Sequence, residues 1–100
     1  MPTRLSPQQI ADALAAIPAW TLVEEGSAIR RELQFAGFDE AMAFIVALAE
    51  VARAIDHHPD LYNVYNRVTL RLSTHDAGGL TDRDFAFAAG ADALLRTLSA

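Results

Sequence analysis

The chain is 100 residues long, 52% hydrophobic and 21% charged, with 20 alanines and no cysteine. Its net charge of −5 comes from 13 acids and 8 bases, and the bases are all arginines scattered along the sequence. This excludes a disordered chain, disulfides, thiolate chemistry and Cys-ligated metal, and it argues against direct binding to a nucleic-acid backbone.

The length suits one domain over residues 1–100, with enough apolar material for a core and a subunit contact. Met1 to Ala16 lacks the basic and then apolar layout of a signal peptide. No apolar run reaches the ~18 residues needed to span a bilayer, so a soluble cytoplasmic protein is expected, with no membrane partner.

In chain order, Ser6-Pro7-Gln8-Gln9 reads as a helix start: Ser6 is the N-cap, Pro7 occupies the tolerated first position, and Gln9 closes a capping box. Ile10, Leu14 and Ile17 share one face, and Pro18 ends the helix. Trp20 to Val23 reads as a short strand, Glu24 to Ser27 as a turn, and Ala28 to Phe35 as a strand. That second strand carries Ile29, Arg31, Leu33 and Phe35 on one side, and Arg31 is the flaw in the stripe.

Asp39 is expected to cap a helix running to about Ile55, with Ala41, Phe44, Ile45, Leu48, Val51, Ala52 and Ile55 as its core stripe. Met42, Ala43, Val46 and Ala47 extend the apolar surface beyond what one sheet covers, which predicts a second contact, with another subunit or within the chain itself. Tyr65 to Thr74 alternates as a half-buried strand, Gly78-Gly79 breaks the chain, and Thr81 with Asp84 opens a last helix over Phe85 to Leu98. The order α-β-β-α-β-(β)-α predicts an α+β fold, an antiparallel sheet with helices on one face.

All three histidines, His57, His58 and His75, fall where regular elements end. His57 and His58 follow the second helix, where the negative end of its dipole favours an imidazolium, and Asp56 and Asp60 act in the same sense. His75 precedes Asp76-Ala77-Gly78-Gly79, whose glycines would let backbone amides approach a flat ligand. Taken singly, each has a plainer reading: a histidine at a helix end is commonly a cap, Asp84 a helix cap, Arg83 a surface charge, and Tyr62 and Tyr65 packing residues. Adjacent residues on a helix point about 100° apart, so His57 and His58 would not readily share a metal ion.

The run His57-His58-Pro59-Asp60-Leu61-Tyr62-Asn63-Val64-Tyr65-Asn66-Arg67-Val68, followed by Ser73-Thr74-His75-Asp76-Ala77-Gly78-Gly79-Leu80-Thr81-Asp82-Arg83-Asp84, resembles the signature of the pterin-4a-carbinolamine dehydratases. The resemblance implies a four-stranded antiparallel sheet with helices on one face, assembling through strand edges and helix faces into a homodimer or homotetramer. It implies dehydration of 4a-hydroxytetrahydropterin, the product of aromatic amino acid hydroxylases, to the quinonoid dihydropterin. No metal or organic cofactor is implied. By the matching positions, His57 and His75 do acid and base work and His58 binds and orients the pterin, with Pro59, Leu61, Tyr62, Thr74, Asp76 and Gly78 as further substrate contacts.

Two departures stand out. Leu61 occupies a position where many members carry an aromatic residue, and Arg53 replaces a Glu that many members carry four residues before the first histidine. An alternative reading on the same fold is a non-catalytic binding module, either a transcription-factor dimerisation partner or an assembly factor.

Overall fold

A computed structural model describes residues 3–99. Helix α1 spans Pro7–Ala15 and opens with the expected reciprocal box: the Gln9 amide donates to Ser6 Oγ (3.2 Å) and the Ser6 amide donates to Gln9 Oε1 (2.8 Å). Strand β1 (Thr21–Val23) leads through a tight turn into β2 (Ala28–Gln34). Helix α2 covers Phe38–Ile55, strands β3 (Asp60–Val64) and β4 (Arg67–Leu72) form a hairpin, and α3 covers Asp82–Ser99. The four strands form one antiparallel sheet in the order β1-β2-β4-β3.

Alternation sorts the sheet into two faces. Ile29, Val68, Leu70 and Leu72 are fully buried, or nearly so, against Phe44 and Leu48 of α2 and Phe87, Ala88 and Ala91 of α3. Phe35 and Phe44 pack tilted, with ring centroids 5.3 Å apart. The other face carries exposed Arg30, Glu32, Arg67 and Tyr62. Gly90 lets the two long helices close on each other, since a Cβ there would lie 2.8 Å from Val51 Cγ1. Arg31 points toward the helices and is held by Asp92, whose Oδ1 also accepts the Trp20 indole N–H at 2.9 Å. A charge in an apolar stripe is tolerated here because a partly buried carboxylate neutralises it.

Three sequence expectations need correction. Asp39 is not the N-cap: Gly37, in extended conformation, opens α2, and Asp39 lies in its first turn, where its charge still meets the positive end of the dipole. The single strand over 65–74 is shorter, and the run 60–64 before it is the fourth strand. Tyr65 adopts a left-handed backbone (φ 51°), and the Asn63 side-chain amide braces the turn by donating to the Tyr65 and Arg67 carbonyls. Finally, α3 begins at Asp82 rather than Phe85: Thr81 stands just before it with its hydroxyl accepting the Arg83 amide, and Asp84 in the first turn accepts the Thr81 amide.

Candidate active site at the end of the second helix

Helix α2 stops because Asp56 takes a left-handed conformation (φ 56°, ψ 46°), with the Asp56 and His57 amides both donating to the Ala52 carbonyl. This reversal sends the two histidines in different directions. The His57 side chain is 11% exposed and turns inward, whereas His58 is exposed.

His57 Nε2 lies 2.6 Å from Asp84 Oδ1, and Asp84 is completely buried in the first turn of α3. The other carboxylate oxygen accepts the Thr74 hydroxyl (2.8 Å) and the Thr81 amide (3.0 Å). Because Thr74 donates to Asp84, the Thr81 hydroxyl must donate to Thr74 Oγ1 (2.8 Å), while itself accepting the Arg83 amide (3.3 Å). An ionised Asp84 thus meets three donors, the pattern a buried carboxylate requires.

These bonds assign the ring hydrogen of a neutral His57 to Nε2. Nδ1 makes no hydrogen bond to a described residue. Since no fully buried side-chain nitrogen or oxygen among the described residues lacks a partner, Nδ1 is not sealed off from solvent. The arrangement, a buried carboxylate orienting an imidazole whose far nitrogen is not sealed off, suits proton transfer to and from a small molecule.

His75 follows Thr74 directly and is exposed at the first residue of a short 3-10 turn, His75–Ala77. Its backbone is therefore held one residue from the group that binds Asp84. Gly78 needs its positive φ of 72° to close this turn. The amides of Ala77, Gly78 and Gly79 are all bonded inside the loop, to the Thr74 and His75 carbonyls. The space over Gly79 is filled by Arg4, whose Nε would sit 2.9 Å from an added Cβ. The expectation that these glycines free amides for a flat ligand is not met, because the loop needs those donors itself.

His58, Pro59 and Leu61 line an open groove of about 290 Å³ along α2, together with Ala49, Ala52 and Arg53. Arg53 is exposed and engaged by Glu50, so its charge is partly balanced on the helix surface. Tyr62 is elsewhere: Leu61 pairs with Leu70 on the helix face and Tyr62 with Thr69 on the open face, so the two cannot contact one ligand from the same side. The described residues contain no group of three or more His, Cys, Asp or Glu side chains placed to hold a metal ion.

The structure thus joins His57 and Thr74 through Asp84, puts His75, Asp76 and Gly78 on the adjoining turn, and groups His58, Pro59 and Leu61 in the groove. Asp84 is the residue that sequence reasoning misses. Its capping signature is genuine, since it accepts the Thr81 amide, but its second oxygen serves His57. The available signal was an Asp where a capping box usually carries the longer Glu or Gln.

The family model described as pterin 4 alpha carbinolamine dehydratase matches residues 3–94. A relative from Solibacter usitatus, provisionally named a pterin-4-alpha-carbinolamine dehydratase, is 48% identical over 94% of this chain and 97% of its own. One from Acidobacterium capsulatum under the same name is 49% identical over 92% and 98%. The crystal structure of a transcriptional coactivator/pterin dehydratase from Brucella melitensis superposes with TM-score 0.88 at 36% identity, covering 92% of this chain and 98% of that one. A pterin dehydratase-like protein described as a RuBisCO assembly factor in the alpha-carboxysome superposes at 0.67 with 25% identity, over 76% and 88%. With both signature blocks in place and the fold shared throughout, the chain belongs to the pterin 4 alpha carbinolamine dehydratase family.

Proposed function

We propose that the protein dehydrates 4a-hydroxytetrahydrobiopterin to quinonoid dihydropterin and water, following an aromatic amino acid hydroxylase in tetrahydrobiopterin recycling. The observation that carries this reading is the His57–Asp84 pair, which fixes one imidazole, its Nδ1 not sealed off from solvent, beside the turn that bears His75. In the reaction the C4a–O bond breaks as the hydroxyl takes a proton and leaves as water. The N5 lone pair forms the new double bond to C4a, and N5 loses its proton to a base. One imidazole supplies a proton and another accepts one, so the pair is restored when they exchange with solvent.

His57 and His75 fill these two roles, and His58 orients the ring. Pro59 and Leu61 offer an apolar wall, while Asp76 and Gly78 border the polar edge. Thr74 acts through Asp84. Tyr62, on the opposite face, is outside this site. The apolar outer flank of α2, where Val46 is 70% exposed, suits a homodimer or homotetramer contact.

The test is to generate the 4a-hydroxypterin with a hydroxylase and follow its loss spectroscopically with wild type, His57→Ala and His75→Ala. Acceleration by wild type alone supports the reading, and no acceleration over the spontaneous rate overturns it. A second reading, a non-catalytic binding module, is favoured by the structural neighbour described as an assembly factor. It predicts unchanged partner binding in both histidine variants.

A further inference from the structure

The turn between β1 and β2 is unusual. Glu24, Glu25 and Gly26 are three consecutive residues with positive φ (53°, 57° and 89°), a conformation that only glycine adopts freely. Unfavourable backbone of this kind persists where the surroundings hold it, and functional sites are where it concentrates. What holds it here is Arg71 of β4. The guanidinium grips the Glu24 carboxylate with two donors, Nε to Oε2 and Nη2 to Oε1 (2.6 Å), the planar fork-to-fork match that lysine cannot make. Its remaining nitrogen, Nη1, donates to Asp60 Oδ2 at 2.7 Å. A second tie comes from Ser73, whose hydroxyl donates to the Ser27 carbonyl at 2.7 Å.

These ties end on the two segments that carry the histidines. Asp60 directly follows His57-His58-Pro59 and stands opposite Arg71 in the sheet register. Ser73 directly precedes Thr74 and His75. We propose that the Glu24–Ser27 turn is a positioning device for the candidate site, with Glu24 and Arg71 as positioning residues that set the His57–Pro59 segment relative to the Thr74–His75 segment. The inference rests on the dehydratase reading for its kinetic consequence but not for its structural one.

The charges are already biased toward this pairing. Hydrogen bonding from Arg71 holds the Glu24 carboxyl below its ordinary range, and the same bond holds the Arg71 guanidinium above its own. Both side chains remain partly exposed, 35% for Arg71 and 48% for Glu24, so the pair adds little to global stability. A positioning role and a merely stabilising one therefore predict different results.

The experiment compares wild type, Glu24→Gln, Arg71→Gln, the Glu24→Gln/Arg71→Gln double variant and Arg71→Lys, with Glu32→Gln as a control that removes another exposed ion pair from the same face, at a residue opposite Thr69 rather than Arg71. Two quantities are read: turnover of the 4a-hydroxypterin, and the NMR signals of the histidine rings against the Trp20 indole. The expected result is a fall in kcat of about threefold to a hundredfold for Glu24→Gln and Arg71→Gln, the scale of a misplacement of up to about 1 Å, with KM little changed. Arg71→Lys should fall between, the Glu24→Gln/Arg71→Gln double variant should be no worse than the worse single, and Glu32→Gln should match wild type. The His57 and His75 signals should move while the Trp20 signal stays. Unmoved histidine signals in Glu24→Gln overturn the proposal, as does a Trp20 shift of equal size, which would mark a general loosening. If wild type fails to turn over the pterin, the dehydratase reading falls and the ring signals alone decide the role of the turn.

Discussion

His57 and His58 are neighbours in the chain, yet their surroundings follow opposite logic. His57 is 11% exposed and is fixed by a carboxylate that accepts two further hydrogen bonds. His58 is exposed at the lip of an apolar groove with Pro59 and Leu61. The difference lies in tolerance. A buried polar network has one good arrangement and loses heavily when a member is removed, whereas an open apolar wall changes affinity in small steps. On the dehydratase reading proposed above, proton transfer to one atom falls to the first place and recognition of a flat ring to the second.

The sharpest way to break this contrast is at Asp84. Asp84→Ala leaves the Thr81 amide, the Thr74 hydroxyl and His57 Nε2 without their acceptor, and should cost about 3–5 kcal/mol in denaturant unfolding. Asp84→Asn keeps the volume but reverses a donor and an acceptor, so it should fold and lose activity. His57→Ala is expected to lower kcat by ~10²–10⁴-fold, the range of a general acid or base. His58→Ala should instead raise KM more than it lowers kcat. Equal kcat losses at both histidines would erase the distinction between the two regions.

Most of the fold was legible because its signals are local: the Ser6–Gln9 box, the alternation of β2 and the stripe of α2 need no knowledge of distant residues. Boundaries failed where backbone conformation decides, at the left-handed Tyr65 and at the extended Gly37, since neither leaves a hydrophobic pattern. The histidines were legible through the two signature blocks. Asp84 was visible only as a cap, because its bond to His57 spans 27 residues and depends on the reversal at Asp56. Arg31 was likewise a flaw in a stripe until Asp92, 61 residues away, explained it.

A smaller effect, on the rigid side of the contrast, is expected at Gly90. Helix propensity alone favours Gly90→Ala by ~1 kcal/mol. The added Cβ would meet Val51 Cγ1 at 2.8 Å, and a β-branched side chain inside a helix has little freedom to turn away. Overpacking of this kind costs about 1–3 kcal/mol, so a net destabilisation is expected, measured as a lower Tm. Val51 lies in the last turns of α2, so the strain should also move the His57 and His58 signals. Val51→Ala in the same chain should restore both. A Tm that rises in Gly90→Ala would mean the helices separate without resistance, and that the end of α2 is looser than the Asp84 network requires.

The mildest change tests the groove. Leu61 is 40% exposed and faces the helix side of β3. A larger ring there extends the apolar wall without touching the His57–Asp84–Thr74–Thr81 bonds. Leu61→Trp should therefore lower KM by roughly two- to tenfold, the ~0.5–1.5 kcal/mol of one aromatic pair, and leave kcat unchanged. The sign follows from where the side chain sits: binding gained from a wall that touches substrate and transition state alike appears in KM, because the barrier from the bound state is the same. A variant that changes kcat while leaving KM alone would show that the wall reaches the reacting atoms, and the two histidine environments would then have to be treated as one.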